Sequence, residues 1–128
     1  PALGKALVGA WFELMAEMGT DSEEGQKARA FLGEASATDQ AGYEAQLAGM
    51  KMFWQPADAV AFIGSDEAYE AMDSVRQFSF EKGLLGEGAD SPDFVGIAMP
   101  DGKTLGDTAN IKLRFDTEYM QMAADGAL

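Results

Sequence analysis

Residues 83–105, GLLGEGADSPDFVGIAMPDGKTL, are where the chain changes character. The run 86–93 (GEGADSPD) is dense in Gly, Pro, Ser and acids, a composition that supports neither helix nor strand. Residues 94–99 then read as a short strand, Pro100-Asp101-Gly102 as a tight turn, and 103–105 as the returning strand. Everything before the run carries helical spacing. The chain is therefore expected to be mainly α with a small β hairpin and strand element near the C-terminus, α+β as an isolated chain. It divides into a helical segment, 1–85, of about five helices, and a segment, 86–128, of loop, short β element and terminal helix. The two together make one domain-sized piece.

Upstream, Leu3, Leu7, Trp11, Leu14, Met15 and Met18 fall at three- and four-residue steps and draw one helical stripe, which Gly19 stops. Ser22 is placed to cap a second helix whose first turn holds Glu23 and Glu24, and which is expected to bury Ala28, Phe31 and Leu32. Thr38 is placed to cap a short third helix with Tyr43 and Leu47. Residues 50–54 form a dense apolar run, and Pro56 suits the first position of a helix carrying Val60, Phe62 and Ile63. Ser65 with Asp66 and Glu67 opens the next, which holds Tyr69, Met72, Val75 and Phe78 or Ser79. Gly83 closes it in a left-handed cap, with Leu84 placed for the accompanying apolar contact.

Downstream, Ile111, Leu113 and Phe115 alternate with Lys112 and Arg114, the pattern of a half-buried strand. Asp116 is placed to cap a last helix through Tyr119, Met120 and Met122.

Composition excludes several chemistries. The 128 residues contain no Cys and no His, which removes disulfides, thiolate nucleophiles, imidazole bases and the usual zinc centres. Nine Lys and Arg against 22 Asp and Glu give a net charge of −13, which repels phosphate backbones and disfavours nucleic acid and anionic membranes. With 47% hydrophobic residues the chain is too apolar for an acidic disordered tail. It begins at Pro1 inside an amphipathic pattern, which reads as a piece of a longer protein.

Motifs of catalysis come close and fail. Residues 96–104 (GIAMPDGKT) have five residues, not four, between the first Gly and Gly-Lys-Thr of a phosphate loop. A calcium loop over 101–112 would need oxygen ligands where Lys103, Leu105 and Lys112 stand. Gly83, Gly86 and Gly88 lack the dinucleotide spacing. Glu13 and Glu17 lie four apart on one helix and read as a solvated face. Arg76 and Arg114 stand out in an acidic chain, since a guanidinium can grip a carboxylate or sulfonate at two points, and ion pairs with neighbouring acids are the simpler expectation. Phe53-Trp54, ahead of Gln55-Pro56, are placed either to line a pocket or to plug a gap between helices. No catalytic residue, metal ligand or cofactor is expected.

Four segments together resemble the C-terminal part of periplasmic substrate-binding proteins of the nitrate/sulfonate/taurine ABC-transporter class, in particular the urea-type uptake subset. They are PALGKALVGAWFELM (1–15), KMFWQPADAVAFIGSDE (51–67), VRQFSFEKGLLGEGADSPDFVGIAMPDGKTLGD (75–107) and IKLRFDTEYMQMAADGAL (111–128). The last two carry the specificity; the likeness spans essentially the whole chain. The resemblance implies a two-lobed α/β parent, exported to the periplasm, that closes on a small nitrogen- or sulfur-containing solute and presents it to an ABC permease. This chain would supply the helical return to one lobe, with Phe53, Trp54 and Gln55 as the ligand-contacting candidates. Most other ligand contacts would lie in the remainder of the parent. Apolar surface around Leu7, Trp11 and Phe31 would then be exposed in the isolated piece and relieved by self-association. The competing expectation is a stand-alone acidic helical protein–protein interaction module. A carboxylate-dependent hydrolase is the third and weakest.

Overall fold

A computed structural model describes residues 2–128; Pro1, where the first of those segments opens, lies outside the described residues. The chain is mainly helical with a small three-stranded mixed sheet, as the sequence implies. Six α-helices occur among the described residues: α1 (Ala2–Met18), α2 (Glu23–Ala35), α3 (Gln40–Ala48), α4 (Pro56–Ile63), α5 (Asp66–Glu81) and α6 (Glu118–Ala124). The strands are β1 (Gly96–Ala98), β2 (Thr104–Leu105) and β3 (Ile111–Arg114), and a single 3-10 turn covers Pro92–Phe94.

The chain packs as two compact units: one runs to Ala59 and adds Tyr119–Leu128, the other is Val60–Glu118. The change from helix to strand falls at 85–86 in the sequence, whereas the packing divides elsewhere, because α5 shares a core with the strands and α6 shares one with α1.

In the first unit, Phe12, Met15 and Ala59 are buried together, and Val8, Met52, Phe53, Trp54, Met120 and Ala123 pack on them. α2 starts where its cap dictates: the Ser22 hydroxyl accepts the Gly25 N–H at 2.9 Å, with Glu23 and Glu24 at the positive helix end. The cap of α3 is Asp39, not Thr38. Asp39 Oδ1 accepts the Gly42 N–H at 2.8 Å, while the Thr38 N–H turns back to Gly33 O at 2.9 Å and belongs to the connection from α2. Ala37 in that connection has φ +57°, the only non-Gly described residue in the left-handed region. Ala28 and Leu32 are half-buried as expected, but Phe31 is 70% exposed, since α2 meets α1 and α3 along a narrower arc than its apolar residues span.

In the second unit, Ala68, Ile97, Met99 and Leu105 form the buried core, flanked by Phe62, Tyr69, Met72 and Phe115. Ser65 caps α5 by accepting the Ala68 N–H at 3.2 Å. Val75 and Phe78 do not complete the α5 stripe. They are exposed because strands of two to four residues cannot cover a 16-residue helix to its end. Gly83 (φ +68°) ends α5 as expected: its N–H reaches Phe80 O at 2.9 Å and the Leu84 N–H reaches Ser79 O at 2.8 Å, the paired bonds of a left-handed helix stop. Leu84 itself stays exposed.

The expected strand over 94–99 is shorter, because Pro92–Phe94 is a 3-10 turn and the Asn110 side-chain amide donates to Phe94 O at 2.7 Å. The hairpin is present: β1 and β2 are antiparallel, and Met99 N–H to Lys103 O (2.9 Å) and Gly102 N–H to Met99 O (3.1 Å) close the Pro100-Asp101-Gly102 turn. β3 lies on the other side of β1 and runs parallel to it, giving the order β2-β1-β3 with a register break between Gly96 and Ile97. Its alternation holds only in part, for Ile111 and Phe115 are half-buried but Leu113 is exposed. Asp116 Oδ1 accepts the Glu118 N–H at 2.8 Å and starts α6.

Candidate functional site: a groove built on Arg29

The first unit carries an open groove of about 480 Å³. Its walls come from the end of α1 (Met18, Gly19), from Arg29 of α2, from Glu44 and Leu47 of α3, and from Met50, Met52 and Trp54. Arg29 holds these elements in place. Its Nη1 donates to Met18 O at 2.5 Å and Thr20 O at 2.7 Å, and its Nε donates to Glu44 Oε1 at 2.9 Å. Thus one cation neutralises the negative end of α1 and ties it to α3 across α2. Glu44 Oε1 also accepts from Gln40 Nε2 at 2.9 Å. These bonds, Gln40's first and Arg29's second, hold the Glu44 carboxyl below its ordinary value.

The corner from α1 to α2 is equally tight. Ser22 Oγ donates to Glu17 Oε1 at 2.5 Å, and Thr20 Oγ1 donates to Glu17 O at 2.8 Å. Gly19 sits against the indole: a Cβ there would lie 2.8 Å from Trp54 Cγ and 3.0 Å from Trp54 Cδ2. Only a residue without a side chain lets Trp54 approach α1 so closely.

The three candidate ligand contacts are not gathered at one place. Phe53 and Trp54 both pack on the Phe12–Met15–Ala59 core, Trp54 also lines the groove, and Gln55 lines a second cleft of about 270 Å³ together with Glu13. Gln55 O accepts the Asp58 N–H at 3.2 Å in the first turn of α4. Glu13 and Glu17 do not act as a pair, since Glu17 is committed to Thr20 and Ser22.

Of the cations singled out in the sequence, Arg76 forms ion pairs. Its Nη2 donates to Asp73 Oδ1 at 2.5 Å, its Nη1 to Pro92 O at 3.3 Å, and Nη1 also pairs with Asp93. It fastens α5 to the loop that precedes β1. Asp73 is thereby held below its ordinary value, by Arg76 first and Gln77 second. Arg114 is exposed and makes no ion pair among the described residues. Sequence reasoning missed Arg29, whose partners lie 9 to 15 residues away and include two backbone carbonyls. The signal was present in weak form, as a lone Arg in the interior of α2 with Ala28 and Ala30 beside it.

The chain matches no protein-family model, and no curated protein or solved structure resembles it significantly.

Proposed function

We propose that this chain is the C-terminal portion of an exported two-lobed solute-binding protein, a non-catalytic protein that captures a small nitrogen- or sulfur-containing solute and delivers it to an ABC permease. The observation that supports this reading is the uncovered face of α1. From Ala2 to Phe12 the helix carries one charged residue, Lys5, and is otherwise apolar all round. Phe12 and Met15 face the core, yet Leu3 (82%), Leu7 (68%) and Trp11 (54%) are exposed at four-residue intervals, followed by Leu14. A helix apolar on both sides is built to be covered on both sides. In a two-lobed α/β protein the missing cover is the sheet of the lobe to which such a helix returns.

The test is the reading frame upstream of Pro1, followed by ligand screening of the whole product. Upstream α/β sequence behind a secretion signal is expected, together with a thermal shift of the whole protein by one of urea, amidines, sulfonates or pyrimidines. A start codon near Pro1, with the 128-residue chain a clean monomer that binds no hydrophobic dye, overturns the reading. The same face also favours a second reading, a stand-alone acidic module that docks another protein on α1. That reading requires the start codon near Pro1 and a well-folded monomer or dimer.

A further inference from the structure

The guanidinium of Arg29 is committed at two of its three nitrogens: Nε to Glu44 Oε1, and Nη1 to the carbonyls of Met18 and Thr20. Its Nη2 donates to nothing among the described residues. Glu44 shows the counterpart. Both bonds to its carboxylate, from Arg29 Nε and Gln40 Nε2, end on Oε1, and Oε2 accepts nothing among the described residues. A two-point pair would have closed Nη2 on Oε2. The single bond instead leaves a donor and an acceptor beside each other. Neither atom is sealed away without a partner, so both reach solvent, and both residues line the groove. Leu47, Met50, Met52 and Trp54 supply its apolar wall.

We propose that this groove binds a small neutral molecule carrying a planar carboxamide, whose carbonyl accepts from Arg29 Nη2 and whose N–H donates to Glu44 Oε2, with its apolar body against the Met50, Met52 and Trp54 wall. A carboxamide presents one acceptor and one donor along a single edge, the complement of those two atoms. A carboxylate presents two acceptors and an amidinium two donors, so each sets one groove atom against its like. Charge points the same way: Arg29 and Glu44 cancel, and Asp21 in the lining leaves a negative excess that repels an anion. Glu44 stays an acceptor because Gln40 first and Arg29 second hold its carboxyl below its ordinary value. The bonds on Nε and Nη1 fix the guanidinium before any ligand arrives, so little side-chain freedom is lost on binding. A volume of about 480 Å³ is that of a small-molecule site. The site does not rest on solute capture, and its failure leaves the reading of α1 intact.

The experiment is titration of the 128-residue chain with benzamide, benzoate and benzamidine, three probes of one shape that differ in their donors and acceptors. A Trp11→Phe background leaves Trp54 as the only indole reporter. Benzamide is expected to bind saturably with a change in Trp54 emission, and the other two at least about tenfold more weakly, the loss of one hydrogen bond to a charged group. Glu44→Gln can keep an oxygen for Arg29 and Gln40 while turning the second oxygen into an NH₂ donor, so the order of benzamide and benzoate should invert. Glu13→Gln, in the second cleft, should change nothing. In the unsubstituted chain, the methyl resonances of Leu47 and Met50 should shift on benzamide addition while those of Met99 and Leu105 stay, a readout that needs no variant to fold. Absence of saturable benzamide binding, equal affinity for the three probes, an unchanged order in Glu44→Gln, or methyl shifts spread over both units would overturn the proposal.

Discussion

Arg29 and Arg76 are buried to almost the same degree, with side chains 11% and 10% exposed, yet they do different work. Arg29 spends two of its bonds on backbone carbonyls at the end of α1 and one on Glu44. Arg76 binds two carboxylates, Asp73 in its own helix and Asp93 in the loop before β1, with one carbonyl besides. The first joins three helices and sets the shape of a groove. The second pins a loop to a helix. A carboxylate that loses its Arg can turn to water when it is as exposed as Asp93, at 68%. A helix-terminal carbonyl held in a packed corner has no such freedom.

The sharpest way to break this comparison is to remove each guanidinium. Arg29→Met should cost about 3 kcal/mol in urea unfolding, because three acceptors lose a charged donor at once. Arg76→Met should cost about half of that, since part of its loss is made good by solvent. Equal losses would mean that carbonyl and carboxylate partners are equivalent here. Gly19→Ala comes next. A methyl 2.8 Å from Trp54 Cγ must displace the ring, for about 2 kcal/mol of overpacking and an altered Trp54 emission in the Trp11→Phe background. An unchanged spectrum would show that the corner yields instead of the indole.

Relaxing a strained residue should act in the opposite direction. Ala37→Gly removes the side chain from a left-handed residue and should stabilise the first unit by up to about 1 kcal/mol, read from the urea midpoint. The smallest effect is that of acid. Glu44 and Asp73 are both depressed from ordinary values of 4.5 and 3.8. A depressed carboxylate contributes stability that is fully present above its unfolded value and is lost as pH falls through its folded one. Urea midpoints should therefore fall below pH 4.5, and the fall should be smaller in Glu44→Gln and Asp73→Asn, each relieving its own unit.

What the sequence made legible was local. Ser22, Ser65, Asp116 and Gly83 each mark a helix end through bonds that reach no more than five residues, and Pro56 marks one as the first residue of α4, where a missing N–H costs nothing. Thr38 and Asp39 show the limit of that signal. Both can cap a helix, and the choice between them depends on the path of the chain from Gly33. The strand at Ile111 was legible too, but not its parallel partner, because alternation records a face and not a neighbour. For the site, Trp54 was legible as an aromatic next to a helix start, whereas its double place, on the core with Phe53 and in the groove wall, and the turn of Gln55 to a second cleft were not. The place of Trp54 follows from the gap left by Gly19, which lies far from it in sequence.

The order of residues in the two units bears on synthesis. Val60–Glu118 is continuous, so its core closes from one unbroken stretch of chain. The other unit is interrupted: Phe12 and Met15 wait for Met120 and Ala123, more than a hundred residues later, before their cluster is whole. On a nascent chain α1 therefore has both of its apolar sides open until residues 120–123 follow. Until they do, a holding factor or a preceding partner surface would be the cover available to it.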